Sequence, residues 1–324
     1  MAPMIDVLLL LALPASGKSE IRRYLEHLGP RRSELHLGPV IQLDDYPYVH
    51  LMRRISAEQR RLRAPAAFFE SEESPFADPR DWLALIHLLD EDFAGLGAVT
   101  RRSADPRSLL DRIEGARRLA GIGSSIAGGE RQALEASLEA DATELAGRLP
   151  TPSAAELRGA TIVIEFARGG PAGAISPLPF PFGYQHSLAA LSPEILQRAS
   201  ILYVWVTPEE SRRRNRERAI PGPDGDASIL HHGVPARVMH EDYGMDDIDW
   251  LMNSSLEPGT IAVEAGGDTH LLPFARFDNR ADRTSFLRGD PGEWPPDAIA
   301  TLHAELAGAL DGIAIGRVDS PPAE

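Results

Sequence analysis

Cysteine is absent from this 324-residue chain. Disulfides, thiolate metal sites and cysteine nucleophiles are therefore excluded, and the composition is compatible with the cytoplasm, which is the expected location. Basic residues are scarce: 33 against 48 acidic ones, for a formal net charge of −15 and a pI near 5.1. Nucleic acid and anionic membrane both need a basic face, so neither is an expected partner. No apolar run approaches the roughly 20 residues that span a bilayer. What the chain does have is 43% apolar residues, enough for a sizeable core. Its length suits one large α/β domain with an insertion, or two domains.

Lysine is the next scarcity. Of the 33 basic residues only Lys18 is lysine, and all the others are arginine. A bias of this kind converts every tolerant basic position, so Lys18 is expected where a guanidinium cannot replace a compact ammonium.

Lys18 lies in a telling context. Ile5 to Leu13 is apolar except for Asp6, as in a strand buried on both faces of a parallel sheet. A secretory leader would need a basic segment ahead of it, and Asp6 stands there instead. Pro14-Ala15-Ser16-Gly17-Lys18-Ser19 follows, and then Ile21, Tyr24, Leu25 and Leu28 at the spacing of an amphipathic helix, stopped by Gly29-Pro30. Strand, tight loop and helix are the context a phosphate-binding loop requires. Pro14, Ala15, Ser16, Gly17, Lys18, Ser19 and Glu20 would surround the phosphates, with backbone N–H groups from all but Pro14, Lys18 on the β/γ-phosphates and the Ser19 hydroxyl on Mg²⁺. Ala12 stands where the usual pattern has its first glycine. The competing reading is a chance Gly-Lys-Ser turn.

Further along, Pro39 to Leu43 reads as a second strand ending in Asp44-Asp45, with a helix after it that turns Tyr48, Met52 and Ile55 inward. Residues 64–158 read as a mostly helical insertion. A Pro-rich acidic loop covers 64–80, and helices are marked by Trp82 to Phe93, by Leu109 to Ala116, and by Leu134, Leu138, Leu145 and Leu149. Thr161 to Phe166 and Ile201 to Val206 are buried strands, Pro235 to Asn253 one helix, Thr260 to Glu264 and Leu271 to Phe277 a hairpin, and Ile299 to Leu310 the last helix. The expectation is a three-layer α/β fold with a mainly parallel five-stranded sheet. Its core comprises 1–63 and 159–324, interrupted by the acceptor-side insertion 64–158. The Pro- and Phe-rich segment Pro177 to His186 is expected to line the acceptor pocket.

Three features extend the loop. Asp44 and Asp45 end the second strand, at the edge that faces the ligand crevice in a doubly wound sheet. Either can position or deprotonate an acceptor hydroxyl, with Asp45 preferred, or can cap the next helix. Glu165 ends the third strand after four apolar residues, where a carboxylate holds Mg²⁺, while Arg168 either pairs with it or clamps an anionic substrate. The helix after the fourth strand carries Arg212, Arg213, Arg214, Arg216 and Arg218; Arg212 and Arg216 are the candidates to close on a γ-phosphate, and the alternative is a solvated face.

In this order the residues resemble the adenylate-kinase-like branch of P-loop kinases, with its nucleoside monophosphate kinases, zeta-toxin-type kinases and chloramphenicol-phosphotransferase-like enzymes. Leu-Pro-Ala-Ser-Gly-Lys-Ser is similar to that branch's loop, Asp44-Asp45 to its acceptor-site acid and residues 207–235 to its arginine-bearing lid. The resemblance covers residues 4–50 and 160–255. It implies a P-loop NTPase fold, ATP and Mg²⁺, and phosphoryl transfer to a small-molecule hydroxyl or phosphate acceptor. A P-loop NTPase or nucleotide-binding regulator without an acceptor is the alternative, and a polynucleotide kinase fits the charge less well.

Overall fold

The computed structural model describes residues 4–98, 103–124, 126, 128–218 and 233–316. The elements are β1 (Val7–Leu11), α1 (Lys18–His27), β2 (Val40–Asp44), α2 (Tyr46–Arg61), α3 (Asp81–Ala94), α4 (Pro106–Leu119), α5 (Gly128–Ser137) and α6 (Glu139–Arg148). After the short α7 (Ala154–Leu157) come β3 (Thr161–Phe166), α8 (Gly183–Ala189), α9 (Pro193–Leu196), β4 (Ala199–Trp205) and α10 (Pro208–Arg218). The chain closes with α11 (Ala236–Glu241), α12 (Ile248–Ser254), β5 (Thr260–Ala265), β6 (Asp268–Asp278) and α13 (Pro296–Gly316).

One sheet runs through the fold in the order β2-β3-β1-β4-β6-β5. It has six strands rather than the five expected. The extra one is β5, the first arm of the anticipated hairpin, which pairs antiparallel to β6 at the sheet edge while every other pairing is parallel. β1 is central, and its unbroken apolar sequence follows from having helices on both sides. Leu8 and Leu10 pack with α1 and α13, while Val7, Leu9 and Leu11 pack with α3, α8 and α12. The result is the expected three-layer α/β arrangement.

A third apolar cluster joins α4, α5, α6 and the first loop of the insertion to α2 and α11. α3 joins this cluster to the sheet. Its Trp82, Leu85 and Leu88 face the insertion, and Ile86, Leu89 and Phe93 face the strands. A helix apolar on both sides is the sequence signature of this double burial.

Two expected helices are broken. The stretch from Leu134 to Leu149 forms α5 and α6, parted at Leu138, which is fully buried under both. The stretch from Pro235 to Asn253 forms α11 and α12. Between them Met245 pairs with Gly170 across an antiparallel bridge (N–H···O 2.8 and 3.2 Å), and Gly244 packs so closely on Ala172 that a Cβ would collide with it. Asp246 Oδ1 then accepts the Ile248 N–H at 3.0 Å and restarts the helix. α5 and α6 bury their apolar residues in one cluster, whereas α11 buries Val238 and Met239 against the insertion and α12 buries Ile248 and Leu251 against the sheet. Among the described residues no helix is long and apolar enough to cross a membrane.

Candidate functional site

The Pro14–Ser19 loop joins the C-terminal end of β1 to the N-terminus of α1, at the sheet edge where α/β folds bind ligands. Ala15 (φ 58°) and Gly17 (φ 100°) are both left-handed. Gly17 is required twice over, by that backbone and because a Cβ there would strike the side chains of Asn279 and Thr284. Three distant elements hold the loop by its carbonyls. Tyr184 Oη of α8 donates to Ala12 O (3.0 Å), Ser211 Oγ of α10 to Pro14 O (2.7 Å), and Asn279 Nδ2, just past β6, to Ser16 O (2.7 Å). With the carbonyls bound from behind, the first N–H groups of α1 face open space, where helix geometry leaves them without partners. The Ser16 hydroxyl is buried and finds no partner among the described residues.

The parallel register sets Asp44 of β2 directly beside Glu165 of β3. Lys18 Nζ lies 3.6 Å from Glu165 Oε1, Arg22 Nη1 lies 3.5 Å from Glu165 Oε2 and 3.9 Å from Asp44 Oδ2, and Gln42 Nε2 donates to Glu165 Oε2 at 3.1 Å. Asp44 Oδ1 accepts the Tyr46 N–H (3.0 Å), so this residue also caps α2. Burial, reinforced by the charges of Glu165 and Asp45 and opposed by Arg22, pushes the Asp44 carboxyl up to about 7. It can therefore exchange a proton near neutrality. Arg22 was not singled out in the sequence. Its place one helical turn after Lys18 is the signal that could have found it.

Asp45 and Arg168, expected to face a substrate, instead face each other. Arg168 Nη1 donates to Asp45 Oδ2 at 2.6 Å and its Nη2 to Trp82 O at 3.0 Å, with the guanidinium 5.0 Å from the Trp82 ring centroid and 5.2 Å from that of Phe166. Arg168 is 2% exposed. Asp45 lines the cleft only with its carboxylate neutralised, so Asp44 is the available acid of the pair.

The arginines of α10 are also redistributed. Arg212 bonds to Glu209 (2.9 Å) and to Gly244 O (3.1 Å), Arg213 to Glu210 and Glu217, Arg214 is buried against Glu210 and Asn279 O, and Arg216 is exposed. Neither Arg212 nor Arg216 lines the cleft; Arg218 does, held by Glu20 of α1 at 2.5 Å. Glu20, expected beside the phosphates, is 1% exposed and pairs also with Arg288 at 2.7 Å. Residues 219–232 of the expected lid, with His231 and His232, lie outside the described residues.

A cleft of about 870 Å³ runs from the loop past Asp44 and Glu165 and on between α2, α6 and α11. Its far half is lined by Arg53, Phe69, Trp82, Asp242 and Tyr243. No residue of Pro177 to His186 lines it; Leu178 and Tyr184 of that segment are buried, while Phe180 is 60% exposed. No family model, curated protein or solved structure matches this chain. Its chemistry is read from its own residues.

Proposed function

We propose that this chain has a P-loop NTPase fold and is an ATP- and Mg²⁺-dependent kinase for a small-molecule hydroxyl or phosphate acceptor. The observation that carries the reading is the continuity of the cleft. Its near end holds the loop, Lys18, Ser19 and the Asp44/Glu165 pair, and its far end leaves room for a second molecule against the insertion. A volume of about 870 Å³ lies in the upper part of the range usual for ligand sites.

The residues present fit the nucleotide and its metal. The outward N–H groups at the start of α1, the left-handed Ala15 and Gly17 and the unpartnered Ser16 hydroxyl suit phosphate oxygens. Ser19 and Glu165 offer the hard oxygen donors Mg²⁺ prefers. Among the described residues no group of three or more His, Asp or Glu forms a self-sufficient metal cage, and Mg²⁺ in phosphoryl-transfer sites is commonly held by one or two carboxylates plus phosphates.

ATP supplies the phosphoryl group: a bond forms from the acceptor oxygen to phosphorus, the bond to the bridging oxygen breaks, and ADP leaves. Lys18 places a compact positive charge at the loop, and its contact with Glu165 keeps it oriented towards the cleft. Asp44 receives the acceptor's hydroxyl proton, a role suited to a carboxyl poised near neutrality. Arg218, which also lines the cleft, adds positive charge beside Lys18 and Arg22. The test is ATP consumption across acceptor classes with a no-acceptor control. Acceptor-dependent ADP formation is expected, and turnover independent of any acceptor would favour a stand-alone NTPase.

A further inference from the structure

The far half of the cleft carries an imbalance of charge. Arg53, Arg54 and Arg148 reach it, but each is engaged: Arg53 donates to Glu72 O (2.9 Å) and lies 4.0 Å over the Phe69 ring, Arg54 is 3.6 Å from Asp141, and Arg148 is 2.6 Å from Glu144. The carboxylates of Glu72, Glu73 and Asp242 line the same half and form no ion pair among the described residues. Glu72 and Glu73 are exposed at the mouth, whereas Asp242 is 4% exposed at the inner wall. The Asp242 carboxylate lies beside the Trp82 side chain, and its Oδ2 is buried without a partner among the described residues. Such an oxygen costs free energy until a donor reaches it. Next to it stand Trp82 and Tyr243, their ring centroids 5.4 Å apart, with Phe69 nearby, and aromatic faces attract cations.

We propose that the acceptor is a hydroxyl compound bearing a protonated amine, an amino sugar or amino alcohol in chemical class, whose ammonium is received by Asp242 between aromatic walls. This names the acceptor class for the kinase reading and rests on it. Glu72 and Glu73 draw the cation to the mouth, Asp242 and the rings hold it, and the hydroxyl is left to point along the cleft towards Asp44. Phosphorylated acceptors are disfavoured because Arg54 and Arg148 are paired with Asp141 and Glu144, which leaves Arg53 as the one arginine whose charge acts on Glu72, Glu73 and Asp242 together.

The experiment is calorimetry on the full chain at pH 7 with three matched probes: glucose, glucosamine and glucose 6-phosphate, followed by the aminocyclitol 2-deoxystreptamine against inositol. Binding is expected for amine-bearing probes only, weakened by roughly thirtyfold or more in Asp242→Asn, the scale for losing one partner of a buried charged pair. Glu72→Gln/Glu73→Gln, at exposed positions that leave folding untouched, should weaken it a few-fold and flatten its salt dependence. The proposal is overturned if no amine probe binds, if the neutral or phosphorylated probe binds as well as its amine counterpart, or if amine binding survives both variants unchanged. Mg²⁺-ATP titrated into the wild-type chain and Lys18→Ala tests the nucleotide reading by itself. Loss of ATP binding in Lys18→Ala with no amine binding in the wild type would sink the acceptor class and leave the nucleotide site standing.

Discussion

Asp45 Oδ2 sits 2.6 Å from Arg168 Nη1, joining the end of β2 to the residue two places beyond β3, and this ion pair divides the labour between two adjacent aspartates. Asp45 is committed to Arg168. Asp44, beside it, shares its edge with Glu165 and keeps a carboxyl that changes state near neutrality.

Exchanging each aspartate for asparagine should separate the two roles. Asp45→Asn leaves Arg168 buried without its counter-charge, a loss on the order of 3–5 kcal/mol, and should lower the melting temperature markedly. Asp44→Asn keeps an oxygen to cap Tyr46 and relieves the repulsion from Glu165, so the melting temperature should hold or rise. Acceptor-dependent turnover should nevertheless fall by ~10²–10⁴-fold, as for a lost general base. Thermal unfolding and steady-state rates on both variants check this; normal turnover in Asp44→Asn would move the acid elsewhere.

Lys18→Ala should abolish nucleotide turnover without unfolding the chain. Lys18→Arg should also fail, because Glu165 is shared between Lys18 and the Arg22 guanidinium and a second planar fork does not replace a compact ammonium there. Near-wild-type rates in the arginine variant would remove the argument from the lone lysine. Circular dichroism would show whether either variant is folded.

Asn279 lies in a bend after β6, yet its amide holds Ser16 O and Thr284 Oγ1 (2.7 and 2.9 Å), and its Oδ1 accepts the Arg283 N–H at 2.7 Å. Asn279→Ala should cost about 1–3 kcal/mol, the scale for leaving buried polar groups unsatisfied. It should also weaken Mg²⁺-ATP binding by loosening the loop. Denaturant melts and calorimetry measure the two effects, and a stability loss with intact ATP affinity would show that the clamp serves the fold alone.

Asp242 makes stability depend on pH. Burial, with Glu241 nearby, pushes its carboxyl up to about 7 from an ordinary 3.8. The native chain therefore binds this proton more tightly than the unfolded chain. The stability contributed by this proton is fully present below pH 4, is lost as pH rises from about 4 to about 7, and does not change above that. Asp242→Asn removes that contribution, so the difference in unfolding free energy between variant and wild type should grow across this window, to at most about 4 kcal/mol at pH 8. Asp44, Asp81 and Asp246 are raised for the same reason of burial, so only the difference between the two proteins isolates Asp242. An unchanged difference from pH 4 to 8 would contradict the assignment.

Among the α10 arginines, Arg218→Ala should weaken Mg²⁺-ATP binding more than Arg212→Ala or Arg216→Ala. Arg218 alone of the three lines the cleft, and its loss leaves Glu20 with Arg288 as its remaining partner. Equal effects from all three in a nucleotide titration would argue for a diffuse charge effect instead.

What the sequence determined by itself was everything carried by local pattern: the buried β1, the loop with Lys18 and Ser19, the amphipathic α1, and the acids that end β2 and β3. Each follows from hydrophobic periodicity and turn chemistry within about a dozen residues, and strand ends in a parallel sheet necessarily share one edge. The tertiary structure decided which charges meet. Asp45 and Arg168 are 123 residues apart in sequence, and Arg218 and Glu20 are 198 apart. Asn279 reaches the loop only because β6 lies next to β4. The break between α11 and α12 that sets Asp242 on the cleft wall comes from a bridge to Gly170, in a segment far earlier in the chain. Side-chain pairing depends on strand order and on how helices lean across the sheet, so a row of arginines in sequence does not reveal which one faces the ligand and which are held by neighbouring glutamates.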